Sequence, residues 1–130
     1  MRRYETPLPT AHLLDTVICA LLAEVPGTTE GQVMTAQDRA PYRRIDCDGR
    51  ALVYVRPLRR RGAVRIDVSG LWCVEREASI RIATGTGSAT LLLKVREQVE
   101  PAVAYVRDAV LRTREAYARE RRRRGESHAA

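Results

Sequence analysis

The side chains best suited to chemistry in this chain are its guanidinium groups. All but one of the 23 basic residues are arginine, Lys94 being the exception, and the formal net charge is +7. Three groups stand out by spacing: Arg43-Arg44, Arg59-Arg60-Arg61, and Arg119 with Arg121 to Arg124. A guanidinium grips a phosphate with two parallel N–H donors, which an ammonium cannot do. Clustered on turns and at a helix end, such groups make a field that attracts polyanions. The sequence therefore nominates Arg43, Arg44, Arg59, Arg60, Arg61, Arg121, Arg122 and Arg123 as phosphate-contacting residues. The competing reading is a set of solvated charges. A GC-rich genome writes arginine in place of lysine, and a charged turn keeps a sheet edge soluble.

No other pattern assembles a reactive site. Gly85-Thr86-Gly87-Ser88 has the glycines of a phosphate loop but lacks the Gly-Lys-Ser/Thr and the helix that must follow, so it reads as a hairpin turn. His12 and Asp15 share a helix, yet no serine or cysteine nucleophile is placed beside them. Asp46 and Asp48 lack the oxygen-rich spacing of a calcium loop. Cys19, Cys47 and Cys73 are odd in number and far apart, which disfavours both a disulfide framework and a zinc site and leaves them as small core hydrophobes. The expectation is a protein that is not an enzyme and uses neither cofactor nor metal.

Positioning these arginines falls to elements whose periods are legible. A length of 130 residues and 45% hydrophobic content suit one domain with its own core. With no phenylalanine, that core must be aliphatic, and Trp72 is expected to cover one end of it. No apolar run approaches the roughly 20 residues of a membrane span. The longest, Val17 to Ala23, follows His12 and Asp15 and does not have a signal peptide's layout, so a cytoplasmic protein with no membrane partner is expected.

Residues 1–9, with Pro7 and Pro9, read as an extended arm, and Thr10 as the N-cap of a first helix. Leu13, Leu14, Val17, Ile18, Leu21, Leu22 and Val25 recur on one face, and Pro26-Gly27 stops them. Thr28 to Pro41 is patternless and reads as a loop. The period then becomes two. Tyr42 to Cys47 and Ala51 to Leu58 flank a two-residue Asp48-Gly49 turn. That turn would set Ile45 opposite Leu52 and Arg44 opposite Val53 in an exposed edge hairpin. Val64, Ile66 and Val68 make a third strand, Ile80 and Ile82 a fourth, and Leu91, Leu93 and Val95 a fifth. Val99, Val103, Val106, Val110 and Tyr117 form the stripe of a long last helix. The tail from Arg121 has no apolar anchor, so residues 121–130 are expected to be basic and frayed.

The expected fold is α+β: a five-stranded antiparallel meander sheet flanked by an N-terminal helix and a long C-terminal helix, in one domain over residues 10–120. The helices would cover one face and leave Arg65, Asp67, Ser79, Arg81, Thr90 and Lys94 on the other. This layout resembles the MmcQ/YjbR family. The likeness rests on Pro26-Gly27 with Glu30 beyond it, Tyr42 before a strand, the Gly49-Arg50 turn, the strand Ala51 to Arg56, and Glu115-Ala116-Tyr117 in the final helix. It spans Leu13 to Tyr117, and it departs from the family in its aliphatic strands and its basic 59–61 turn. The resemblance implies a secretion-chaperone-like helix, five-strand, helix fold and a nucleic-acid-binding role, with no catalytic residues.

Three functions are thus in view. The first is a nucleic-acid-binding module, duplex DNA before RNA, with arginine turns on phosphate and Tyr42 and Tyr54 available to stack on bases. The second is a protein-interaction or chaperone-like adaptor that dimerises through an exposed apolar strip around Leu52, Val53 or Leu92. The third is a small-molecule binder with a pocket near Trp72 and Tyr105.

Overall fold

The computed structural model describes residues 6–31, 43–47, 50–69, 81–85 and 88–129. Two helices and six strands make it up: α1 (Leu8–Glu24), β1 (Thr28–Glu30), β2 (Arg43–Cys47), β3 (Arg50–Leu58), β4 (Ala63–Ser69), β5 (Arg81–Gly85), β6 (Ser88–Leu93) and α2 (Val99–Ala129). The five longer strands form the antiparallel sheet expected from the sequence, with both helices in place. The short β1, inside a stretch read as loop, adds a sixth strand at the β2 edge.

The strands alternate because one face is dry. Ile45, Cys47, Val53, Val55, Val64, Ile66, Val68, Ala89, Leu91 and Leu93 all point inward and are essentially inaccessible. Leu13, Val17, Ile18, Leu21 and Val25 of α1 close over them with Val99, Ala102, Val103, Tyr105, Val106, Ala109 and Val110 of α2. The α2 stripe is wider than the valine ladder read from the sequence, because Ala102, Tyr105 and Ala109 are buried beside the valines. Burying a side chain such as Ile66 contributes roughly 1.5–3 kcal/mol.

Sheet order departs from a meander at one point. Neighbours run β1-β2-β3-β4-β6-β5, so β6 lies beside β4 and β5 takes the edge. Composition explains the exchange. β6 supplies Leu91 and Leu93 to the centre, whereas β5 has one large aliphatic residue, Ile82, and an edge needs no more. The β2–β3 hairpin is shifted too. Ile45 pairs with Val53 and Asp46 with Ala51, so a bulge at Leu52 separates them. A strict two-residue turn would have set Ile45 against Leu52, out of phase with the inward Val53 and Val55. The extra residue restores the phase. Far from an exposed edge, β2 is covered by β1 and lends Ile45 and Cys47 to the core.

Both helices start at the same end of the sheet. α1 begins at Leu8 with Pro7 as its N-cap; Pro9 fits in the first turn, where amides have no intrahelical acceptor. Thr10, expected as the cap, is instead buried inside the helix. Its Oγ1 lies 4.0 Å from where a β-carbon on Gly62 would sit, which puts the start of α1 against the β3–β4 turn. α1 ends at Val25, whose amide bonds Leu21 O, and Thr28 Oγ1 donates to Val25 O at 2.8 Å.

α2 follows β6, whose last residue Leu93 pairs with Val64 at the beginning of β4. The side chain of Gln98 accepts the amides of Lys94 at 2.6 Å and Val95 at 3.2 Å, fixing the corner. Sixteen residues along, Arg114 donates to Pro26 O at 2.9 Å, so α2 runs alongside α1 in the same direction. It then continues past Gly125 to Ala129, where a frayed tail was expected.

Candidate nucleic-acid interface

The 59–61 arginines occupy a single 3-10 turn between β3 and β4. Leu58 and Ala63 pair to close it, and Gly62 ends it in the left-handed region at φ 60, where a β-carbon is disfavoured. Arg60 and Arg61 project into solvent, while Arg59 is half-buried and engaged with its surroundings.

The β4–β6 register brings two further cations to this turn. Because Val64 pairs with Leu93, the chain leaves β6 beside Gly62, and Lys94 and Arg96 stand exposed next to the arginine turn. Five cations at this end (Arg59, Arg60, Arg61, Lys94, Arg96) meet two exposed carboxylates, Glu97 and Glu100, at the start of α2. The amino-terminal ends of both helices add positive potential, and α1 has no acid in its first turn to offset it. The cationic end continues onto the open face of the sheet. There Arg56 and Arg65 sit directly opposite each other on β3 and β4. Like charges so placed repel. Arg65 is relieved by Asp67, whose Oδ1 accepts its Nε at 3.0 Å and Thr90 Oγ1 at 2.8 Å. Arg56 Nε is buried without a hydrogen-bond partner among the described residues.

The other nominated arginines do not join this surface. Arg43 faces the helices, where it pairs with Glu30 and, at 3.5 Å, with Asp15 of α1. Arg44 faces the opposite side and pairs with Asp46 at 2.8 Å. Gly31 packs against it so closely that a β-carbon there would lie 2.6 Å from Arg44 Nε. Both guanidiniums are thus held by carboxylates. Arg121, Arg122 and Arg123 are exposed, but they lie beyond Arg114 on α2 and so at the other end of the molecule.

Of the weaker candidates, His12 is exposed, and Asp15 turns to Arg43 instead. Asp46 is engaged with Arg44, and no group of three or more metal-ligating side chains occurs among the described residues. Cys47 is a core residue as expected, whereas Cys19 is exposed. Tyr54 is half-buried on the open face opposite Asp67, away from the arginine turn. Tyr42, Asp48, Trp72, Cys73, Ser79 and the 86–87 turn lie outside the described residues. No described helix is long and apolar enough to cross a membrane.

No protein-family model, curated protein or solved structure matches this chain. Of the residues quoted for the likeness to the MmcQ/YjbR family, Tyr42 and Gly49 lie outside the described residues.

Proposed function

We propose that the protein is a non-catalytic module that binds duplex DNA through its phosphate backbone, using the cationic end of the sheet. The observation that carries this reading is the meeting of Arg60 and Arg61 with Lys94 and Arg96, two stretches more than thirty residues apart in sequence that the β4–β6 pairing sets side by side. Arg56, whose Nε has no hydrogen-bond partner among the described residues, extends the same surface, while Arg65 opposite it is held by Asp67. The MmcQ/YjbR-like layout supports the same role. A place in the cytoplasm, among nucleic acids, belongs to this proposal.

The test is a titration of labelled duplex DNA repeated at several salt concentrations. Four exposed phosphate-seeking side chains predict that log K falls against log salt with a slope of roughly −3.6, at about 0.9 per neutralised phosphate. A flat response, or no binding at low salt, would count decisively against the proposal.

A second reading, a dimerising interaction adaptor, is favoured by one feature. Tyr54, Leu58 and Leu92 are half-buried on the sheet face turned away from the helices. Light scattering distinguishes it: a salt-insensitive dimer with no affinity for DNA supports the adaptor.

A further inference from the structure

α2 outlasts its own apolar stripe. Up to Gly125, Thr113 is its last buried residue, and Tyr117 and Ala118 are its last half-buried apolar ones. The contact between Arg114 and Pro26 marks where the helix passes the end of α1. Beyond it come Arg119, Arg121, Arg122, Arg123 and Arg124, all exposed, with Glu120 the only acid among them. Glu120 pairs with Arg124 at 2.9 Å, which leaves the guanidiniums of Arg119 and Arg121 to Arg123 facing solvent around the helix.

At about 1.5 Å per residue, Arg122 lies about 35 Å along α2 from Val99, and Val99 sits beside the arginine turn. Among the described residues, the charge between these ends is close to neutral. On the helix layer, Asp15, Glu24, Glu30, Asp108 and Glu115 offset Arg43, Arg107, Arg112 and Arg114. On the open face, Asp46 and Asp67 hold Arg44 and Arg65. The charge is therefore bipolar, with two cationic ends and a compensated waist.

We infer that the protein bridges two duplex DNA segments, one held at the sheet end and the second by the projecting end of α2. This rests on the DNA-binding reading and adds a second, separate site. The shape of that site fits a duplex. A bare helix with its side chains is about 10–12 Å across, and the major groove is about 12 Å wide. With no apolar face left past residue 118, the helix end is wettable on all sides and can enter such a groove with arginines reaching both flanking backbones. The compensated waist argues against one continuous track along the molecule.

The experiment immobilises one short duplex, adds the full chain, washes, and then measures capture of a second, fluorescent duplex. In parallel, anisotropy measures affinity for a single duplex. The wild type should capture the second duplex. R121A/R122A/R123A should keep affinity for a single duplex within about threefold, because the sheet end is intact, yet lose capture at least about tenfold. Alanine is a strong helix former and these positions are exposed, so the fold should survive, which circular dichroism checks. Single-duplex binding by the wild type with no capture overturns the bridge and leaves the DNA-binding reading intact. Unchanged capture by the triple variant overturns the assignment to α2. One duplex spanning both ends would give a one-to-one complex without capture and also overturns it. No binding to either duplex removes the reading and the bridge together.

Discussion

In the R121A/R122A/R123A background, where the sheet end is left as the main duplex site, replacing Arg60 and Arg61 by alanine should weaken DNA binding about 60-fold at 0.1 M salt. Both side chains are exposed at the tip of the 59–61 turn, so each can neutralise one phosphate without competition from the core. A slope of about 0.9 per phosphate corresponds to roughly an eightfold gain in K per contact at 0.1 M, relative to 1 M salt. Two contacts multiply to about 60-fold. The slope itself should fall in magnitude by about 1.8, from roughly −3.6 to −1.8, leaving Lys94 and Arg96 as the remaining contacts. Between 50 and 200 mM salt, the R121A/R122A/R123A parent would lose about 150-fold in affinity and the variant with Arg60 and Arg61 also replaced only about 12-fold. Fluorescence anisotropy with one labelled duplex across that range reads both numbers. Stability should be unchanged, since neither residue is buried, and a urea titration verifies this. The R60K/R61K variant separates charge from hydrogen-bond geometry: it should restore the slope while recovering less of the affinity. An unchanged slope in the alanine variant would refute the placement of phosphate at this turn. Lost affinity with an unchanged slope would point to a disturbed fold instead.

Three further expectations test the architecture beneath the site. Ile66 is wholly buried on β4 between Val55 and Leu91, so Ile66→Ala should cost about 2–5 kcal/mol in urea unfolding; a loss below 1 kcal/mol would contradict the packing described. A β-carbon on Gly62 would meet only Thr10 Oγ1, at an ordinary 4.0 Å, but φ is 60, so Gly62→Ala should cost roughly 1–2 kcal/mol through the backbone, with Gly62→Asn milder in the same unfolding assay. Arg43→Ala and Arg44→Ala should each leave DNA affinity within about twofold in the anisotropy assay, against the eightfold loss of a phosphate contact, because both are held by carboxylates away from the turn.

Periodicity disclosed the elements well and their arrangement poorly. Alternation in Val64-Arg65-Ile66-Asp67-Val68 marks a strand and its inward face, because burial on one side imposes a period of two. The same logic found α1 and α2. It is silent on which strand lies next to which. β5 and β6 can form the same hairpin with either strand against β4, and only the greater aliphatic content of β6 favours the order found. Hence Lys94, read simply as part of a polar face, and Arg96, not singled out at all, escaped notice as neighbours of the arginine turn. Pairing between segments thirty residues apart leaves no local signature. The bulge at Leu52 is similarly invisible until Val53 and Val55 must share a face with Ile45. Three residues are too few for a pattern, which hides β1.

Availability, not abundance, decides which arginines can bind a polyanion. Arg43-Arg44 and Arg60-Arg61 look equivalent as dipeptides. Once in the sheet, alternation sends Arg43 toward Asp15 and Glu30 and Arg44 toward Asp46. A turn has no such alternation, and among the described residues no partner strand delivers a carboxylate to its tip, so Arg60 and Arg61 keep their charge exposed. Exposed ion pairs contribute only about 0–1 kcal/mol to stability, so little in the fold requires the strand arginines to be paired. Pairing does, however, remove them from the field that an approaching phosphate feels. The same criterion admits Arg121 to Arg123, which lie where α2 has outrun every other element, and sets aside Arg124, which Glu120 holds. Charge-reversing Glu120 to arginine should therefore strengthen capture of a second duplex by freeing Arg124 and adding a cation, by at least the roughly eightfold of one contact at 0.1 M salt. An unchanged capture would show that the α2 end does not touch phosphate, whatever its charge.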